Sequence, residues 1–208
     1  MSMNPSESVH FFNEQFQRQA IAGDLALNPF EETALPYLRG RVLDFGCGMG
    51  NLAVAAAMRG CSVVALDGSE TAIRHLQGRG TRESLSIEAA LADLRTYEVT
   101  EDFDAIVSIG LLMFFDCPTA FRRLANLQMR VRDGGVAIIN VLIEGTTYME
   151  MFERESHCLF SRTEMEQRFA GWHILHSGFR DFDAPDHRVK SFATLIARKP
   201  GMPLASAT

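Results

Sequence analysis

The run Val42-Leu43-Asp44-Phe45-Gly46-Cys47-Gly48-Met49-Gly50-Asn51-Leu52 constrains this chain more than any other stretch. A short apolar segment ends near an acid, glycines then occupy every second position, and a helix-forming stretch with Ala53, Ala55, Ala56 and Ala57 follows. Glycine allows a tight turn and lets another molecule approach the backbone with no Cβ in the way, while small alanines let a helix sit close on a sheet. The pattern predicts a strand, loop, helix and second strand over residues 40–68, the second strand ending in Asp67. A carboxylate at that tip accepts hydrogen bonds from both hydroxyls of a ribose, so the unit points to an adenosine-bearing ligand. The same charge disfavours a 2′-phosphate.

Downstream, short apolar runs keep alternating with helical stretches, the rhythm of a parallel sheet built from strand-helix-strand units. Strands are expected at 41–45, 62–67, 84–89, 103–109 and 135–143, and helices at 51–59, 69–78 and 117–132. Asp116 reads as the N-cap of the last helix, with Phe121, Leu124 and Val131 on one face and Gly134 past its end. Two helices are expected before the first strand. Ser6 caps one, with Val9, Phe12, Phe16 and Ala20 at helical spacing, and a short one follows Asn28 and Pro29 until Pro36 stops it. Beyond residue 143 a linking stretch, 144–160, carries Met149, Met151 and Phe152 and leads to a helix at 161–169. The runs 172–179 and 189–198, joined by the turn-rich 181–186, read as an antiparallel hairpin. The tail 200–208 is expected to be disordered.

A chain of 208 residues without a Pro/Gly/Ser-rich internal linker is expected to form a single domain over 1–199. Within it, 1–38 supplies helices over the site, 40–143 the ligand-binding core, and 144–199 a substrate-side segment with the hairpin. Hydrophobic residues make up 47% and charged residues 22%, as in soluble globular proteins, and the longest apolar runs fall well short of a membrane span. The first residues do not show the basic and apolar regions of a secretory signal, so a cytoplasmic setting is expected. A formal net charge of −6 argues against nucleic acid as a partner. Cys47, Cys61, Cys117 and Cys158 are irregularly spaced with no CxxC, so no metal site is expected and the thiols are expected to be reduced and mostly buried.

Gly48-Met49-Gly50-Asn51-Leu52-Ala53 also fits the GxGxx(G/A) pattern of dinucleotide sites, a weak signal alone. Asp44 argues for a different ligand, since an acid beside the glycines suits a molecule carrying an ammonium and a sulfonium and repels a pyrophosphate. Asp93, in Ala92-Asp93-Leu94, is placed to accept from an adenine amino group, and Leu94 supplies apolar contact. With Asp104-Ala105-Ile106-Val107-Ser108, these features make the chain resemble the class I S-adenosylmethionine-dependent methyltransferases from about Gly40 to Arg198. The resemblance implies an α/β, three-layer Rossmann-like fold with a mostly parallel seven-stranded sheet of order 3-2-1-4-5-7-6 and an antiparallel last strand. It also implies S-adenosylmethionine as cofactor and S-adenosylhomocysteine as product. Asp44, Gly46, Cys47, Gly48, Asp67, Gly68, Asp93, Leu94 and Ser108 would then surround the cofactor.

Ala125-Asn126-Leu127-Gln128, Leu111-Leu112-Met113-Phe114-Phe115, Phe160-Ser161, Gly171-Trp172 and the run from Phe192 to Lys199 are similar to the TehB-type tellurite-resistance methyltransferases. That similarity implies methyl transfer to a small soft or oxyanionic acceptor, such as tellurite or selenite, held by Arg180 and Arg188. A guanidinium suits an oxyanion because its donors form a fixed fork. Phe179 departs from the pattern, since a histidine often stands there, and this bears on oxyanion specificity. Phe12 and its neighbours are expected to close over the site. Displacement from a sulfonium asks mainly for position and a dry pocket, so no general base is assigned. Two other functions fit the same loop: an NAD-dependent oxidoreductase, and a protein that binds S-adenosylmethionine without catalysis.

Overall fold

The apolar run 41–45 becomes β1 (Arg41–Phe45), buried from Val42 onward because parallel neighbours flank it on both sides. A computed structural model describes residues 16, 26–152 and 156–201. Its sheet has the order β3-β2-β1-β4-β5-β7-β6. The other strands are β2 (Ser62–Asp67), β3 (Ile87–Leu91), β4 (Phe103–Ile109), β5 (Val131–Leu142), β6 (His173–Ala184) and β7 (Arg188–Arg198). The first five run parallel, and β7 lies antiparallel between β5 and β6, as the resemblance implied.

Helices cover both faces. α1 (Pro29–Ala34), α2 (Asn51–Met58) and α3 (Glu70–Arg82) pack on one face through Ala34, Leu52, Ala53, Ala56, Ile73 and Leu76, against Val42, Val63, Val107, Ile138 and Ile196. α4 (Cys117–Met129) and α5 (Arg162–Arg168) cover the other, where Leu124, Leu127, Met165 and the adjoining Phe169 meet Leu43, Ile106, Ile139 and Leu195. The alternation of strand residues between these two cores makes the three layers. Among the described residues no helix is long and apolar enough to cross a membrane.

Several boundaries differ from the sequence reading. α3 runs on past Gly78 to Arg82, where Arg79 pairs with Glu83 at 2.9 Å, and this delays β3 to Ile87 instead of residue 84. α4 stops at Met129, and Val131 already belongs to β5 beside Phe103. β6 extends to Ala184, since Phe182 packs on Phe192 and Phe30 and keeps the hairpin paired to its tip. The expectation of four reduced thiols is also corrected. Cys117 and Cys158 form a disulfide, while Cys47 and Cys61 are buried free thiols. The chain returning after β5 runs past the short turn Leu112–Phe114, where Cys158 N–H donates to Met113 O at 3.0 Å, and this brings Cys158 onto the first turn of α4. The expected N-terminal helix, apart from Phe16, and the tail beyond residue 201 lie outside the described residues.

Candidate functional site

The glycine loop leaves β1 and is pinned to the end of β2. Gly46 and Cys47 N–H both donate to Leu66 O, at 2.8 and 3.0 Å. Gly48 N–H donates to Asp67 Oδ2 at 2.8 Å, and Ser69 N–H to Oδ1 at 2.8 Å. Gly50 turns into α2 with φ +76°, and a Cβ there would lie 2.5 Å from the Leu76 side chain, so both conformation and space require glycine. Phe16 brings its ring edge to the loop, 3.2 Å from where a Gly48 Cβ would stand.

Acids converge on this loop. Asp44 is buried, and no hydrogen bond holds its carboxyl among the described residues. Burial raises its pKa to about 8, and the carboxylates of Glu31 and Asp67 push it the same way, with no cation opposing them among the described residues. Burial also raises Asp67, partly offset by the backbone N–H groups of Gly48, Ser69 and Gly68. Glu31 is raised by burial as well, against the Asn28 N–H that it accepts. The Cys47 thiol is lifted well above its ordinary range by burial and by Asp44 and Asp67, so it stays protonated.

Asp67, Gly68, Asp44, Gly46, Cys47 and Gly48 are thus brought together at the ends of β1 and β2. Asp93 follows β3; one of its oxygens accepts from Arg95 N–H and the other from the Thr96 hydroxyl, so it also organises its own turn. Leu94 is buried in the core beside it. Ser108 lies near the end of β4, wholly buried, and its Oγ has no partner among the described residues. Arg180 lies across the sheet on β6, exposed, its guanidinium over the Phe182 ring at 5.9 Å. Arg188 opens β7 and is held by Glu150 and Asp186, each at 3.0 Å, against the Tyr148 ring. Phe12 lies outside the described residues.

Sequence reasoning missed Glu31. Its spacing from Asn28 signals a capping box, which the structure contains, and that signal accounts for the residue without any site. Only the packing of α1 over the strand ends reveals that the capping carboxyl also faces Asp44.

A sheet of this order, with helices on both faces and a glycine loop at the switch point between β1 and β4, is the class I methyltransferase fold. Residues 8–191 match the family described as "Tellurite resistance protein TehB", and the chain belongs to that family. It is 26% identical over 195 residues to the "Probable S-adenosyl-L-methionine-dependent methyltransferase TehB" of Haemophilus influenzae (strain 10810), covering 91% of this chain and 66% of that relative. This chain therefore spans about two thirds of that relative's length. The crystal structure of TehB from Haemophilus influenzae superposes with a TM-score of 0.72 at 24% identity, over 92% of this chain and 67% of that one. The N-methyltransferase NodS from Bradyrhizobium japonicum, in complex with S-adenosyl-L-homocysteine, gives 0.65 at 20% identity, over 91% and 98%.

Proposed function

We propose that this chain binds S-adenosylmethionine at the ends of β1 to β4 and uses it to methylate a small molecule. One observation carries the reading: the carboxyls of Asp44, Glu31 and Asp67 crowd the glycine loop with no cation of the described residues among their influences. Such a site gains most from a cationic ligand, and it repels the pyrophosphate of a dinucleotide. The residues fit the cofactor. Ser108 Oγ, without a partner among the described residues, is open to a hydrogen bond, and each Asp67 oxygen, which accepts one backbone N–H from Gly48 or Ser69, retains a lone pair for a ribose hydroxyl.

In this reading Asp44 and Glu31 hold the ammonium end, Asp67 the ribose, and Asp93 with Leu94 the adenine. Gly46, Cys47, Gly48 and Gly68 offer a backbone that a ligand approaches closely, the N–H groups of the first three being held by Leu66 O and Asp67, and Phe16 supports the expectation that N-terminal residues, Phe12 among them, shut out water. When bound, the cofactor supplies an electrophilic methyl group on a sulfonium whose leaving group is already activated. The chain's own work is to align the acceptor and keep the site dry.

The family name motivates an oxyanionic acceptor such as tellurite or selenite. Arg180 is the better placed arginine for it, because no carboxylate pairs with it among the described residues, whereas Arg188 would have to leave Glu150 and Asp186. The cytoplasmic setting belongs to the same proposal, and the Cys117–Cys158 bond bears on it, since disulfides are rare in reducing compartments. Release of S-adenosylhomocysteine with tellurite, selenite, 2-mercaptoethanol and a primary amine tests the function. Release with at least one is expected; cofactor binding with no release from any would favour a catalytically silent binding protein.

A further inference from the structure

Resting on that reading, we propose that Asn140 is a specificity-determining residue that positions the acceptor by taking a hydrogen bond from an O–H, S–H or N–H that the acceptor carries. Asn140 sits two residues before the end of β5 with no solvent exposure. Its Nδ2 donates to Ala193 O at 3.3 Å and to Thr194 Oγ1 at 2.9 Å. The Ala193 carbonyl only accepts, so the amide orientation is fixed and Oδ1 is the end left over. That oxygen has no partner among the described residues. A buried carbonyl oxygen without a donor carries the full desolvation penalty of the group, so its retention asks for an occupant.

Its place in the sheet says which occupant. Asn140 lies between Ile109 of β4 and Thr194 of β7 in one row across the sheet. The preceding row on the same face is Asp44, Val107, Ile138 and Ile196, so Asn140 faces the side on which the acids gather and stands one pleat nearer the strand ends. Gly110 N–H donates to Asn140 O at 2.9 Å, which ties the residue to the end of β4 beside the switch point. The next row outward is Leu142, Phe192 and Arg180, and Phe30 of α1 lies on the Phe192 ring at 4.9 Å. An acceptor between α1 and the sheet would thus meet apolar walls, one guanidinium and a lone carbonyl acceptor. A fully deprotonated anion satisfies the guanidinium but not Asn140. A protonated oxyanion, a thiol or an amine satisfies the carbonyl.

The full chain and its Asn140→Leu and Asn140→Asp variants test this. Calorimetry should give all three the same affinity for S-adenosylmethionine. At saturating cofactor, using whichever of tellurite, selenite, 2-mercaptoethanol or a primary amine the unaltered chain methylates best, Asn140→Leu should raise KM about tenfold or more with kcat much less affected. Asn140→Asp, protonated when buried, keeps a carbonyl oxygen and should restore KM at low pH. With selenite, KM for the unaltered chain should climb as the last acceptor proton leaves, and Asn140→Leu should flatten that profile. An unchanged KM in Asn140→Leu overturns the inference, as does a parallel loss of cofactor affinity, which would make Asn140 part of the framework or of the cofactor site. If the unaltered chain binds no S-adenosylmethionine, or binds it and methylates none of the acceptors, the proposed function fails first and the inference falls with it.

Discussion

Replacing Asp44 by Asn should remove the part of the pH dependence of stability that Asp44 contributes in the ligand-free protein, leaving the smaller same-sign share of Asp67 and Glu31. The folded chain raises the Asp44 pKa to about 8 from an ordinary 3.8, chiefly by burial. Between those values the folded state holds a proton that the unfolded chain has already released, so stability falls as pH rises, by about 1.4 kcal/mol per pH unit. At pH 7 the accumulated loss is about 4 kcal/mol, an upper bound because the protein relaxes around a buried charge. In a chain of this size each kcal/mol shifts Tm by roughly 2–4 °C, so the loss amounts to roughly 3–6 °C per pH unit. Thermal melts of both proteins from pH 5 to 8 without ligand provide the assay. The Tm of Asp44→Asn should vary much less with pH, and the comparison of slopes is independent of any constant penalty for the amide. Parallel melting curves would refute the reasoning, for they would mean that Asp44 is already ionised and compensated in the folded protein.

Changing both Cys117 and Cys158 to Ser opens a link between residues 41 apart, and the chain-entropy relation gives a loss of about 4 kcal/mol, measurable by urea unfolding. The 144–160 segment, anchored at Met113 O and against Phe114 through Phe152, should then exchange its amides faster. Arg180→Ala should impair use of an oxyanionic acceptor while leaving S-adenosylmethionine affinity intact, and Arg188→Ala should do less, since Glu150 and Asp186 already neutralise it. Steady-state kinetics with tellurite and selenite checks both.

The central strands were legible because parallel strands buried on both faces read as continuous apolar runs, and β1, β2 and β4 begin and end where those runs do. β3 and the end of α4 were less so, because ion pairing carried α3 past its glycines and a single cap residue, Arg130, separates α4 from β5. In the site, Asp44 and Asp67 could be placed from the glycine loop, since local chain geometry fixes where a strand tip lies. Glu31 and Asn140 could not. Each reaches the site through long-range packing, the one by α1 folding over the strand ends and the other by the pairing of β5 with β7. The disulfide was hidden for the same reason, as 41 intervening residues say nothing about a Cα separation of 4.7 Å.

Calorimetric titration with S-adenosylmethionine and with NAD, at pH 6 and again at pH 7, tests the cofactor assignment most directly. A cation that needs ionised Asp44 should bind about tenfold more tightly at pH 7 than at pH 6, and Asp44→Asn should lose that dependence. S-adenosylmethionine binding with this pH profile and no NAD binding is the predicted result. Tight binding of NAD with none of S-adenosylmethionine would contradict it.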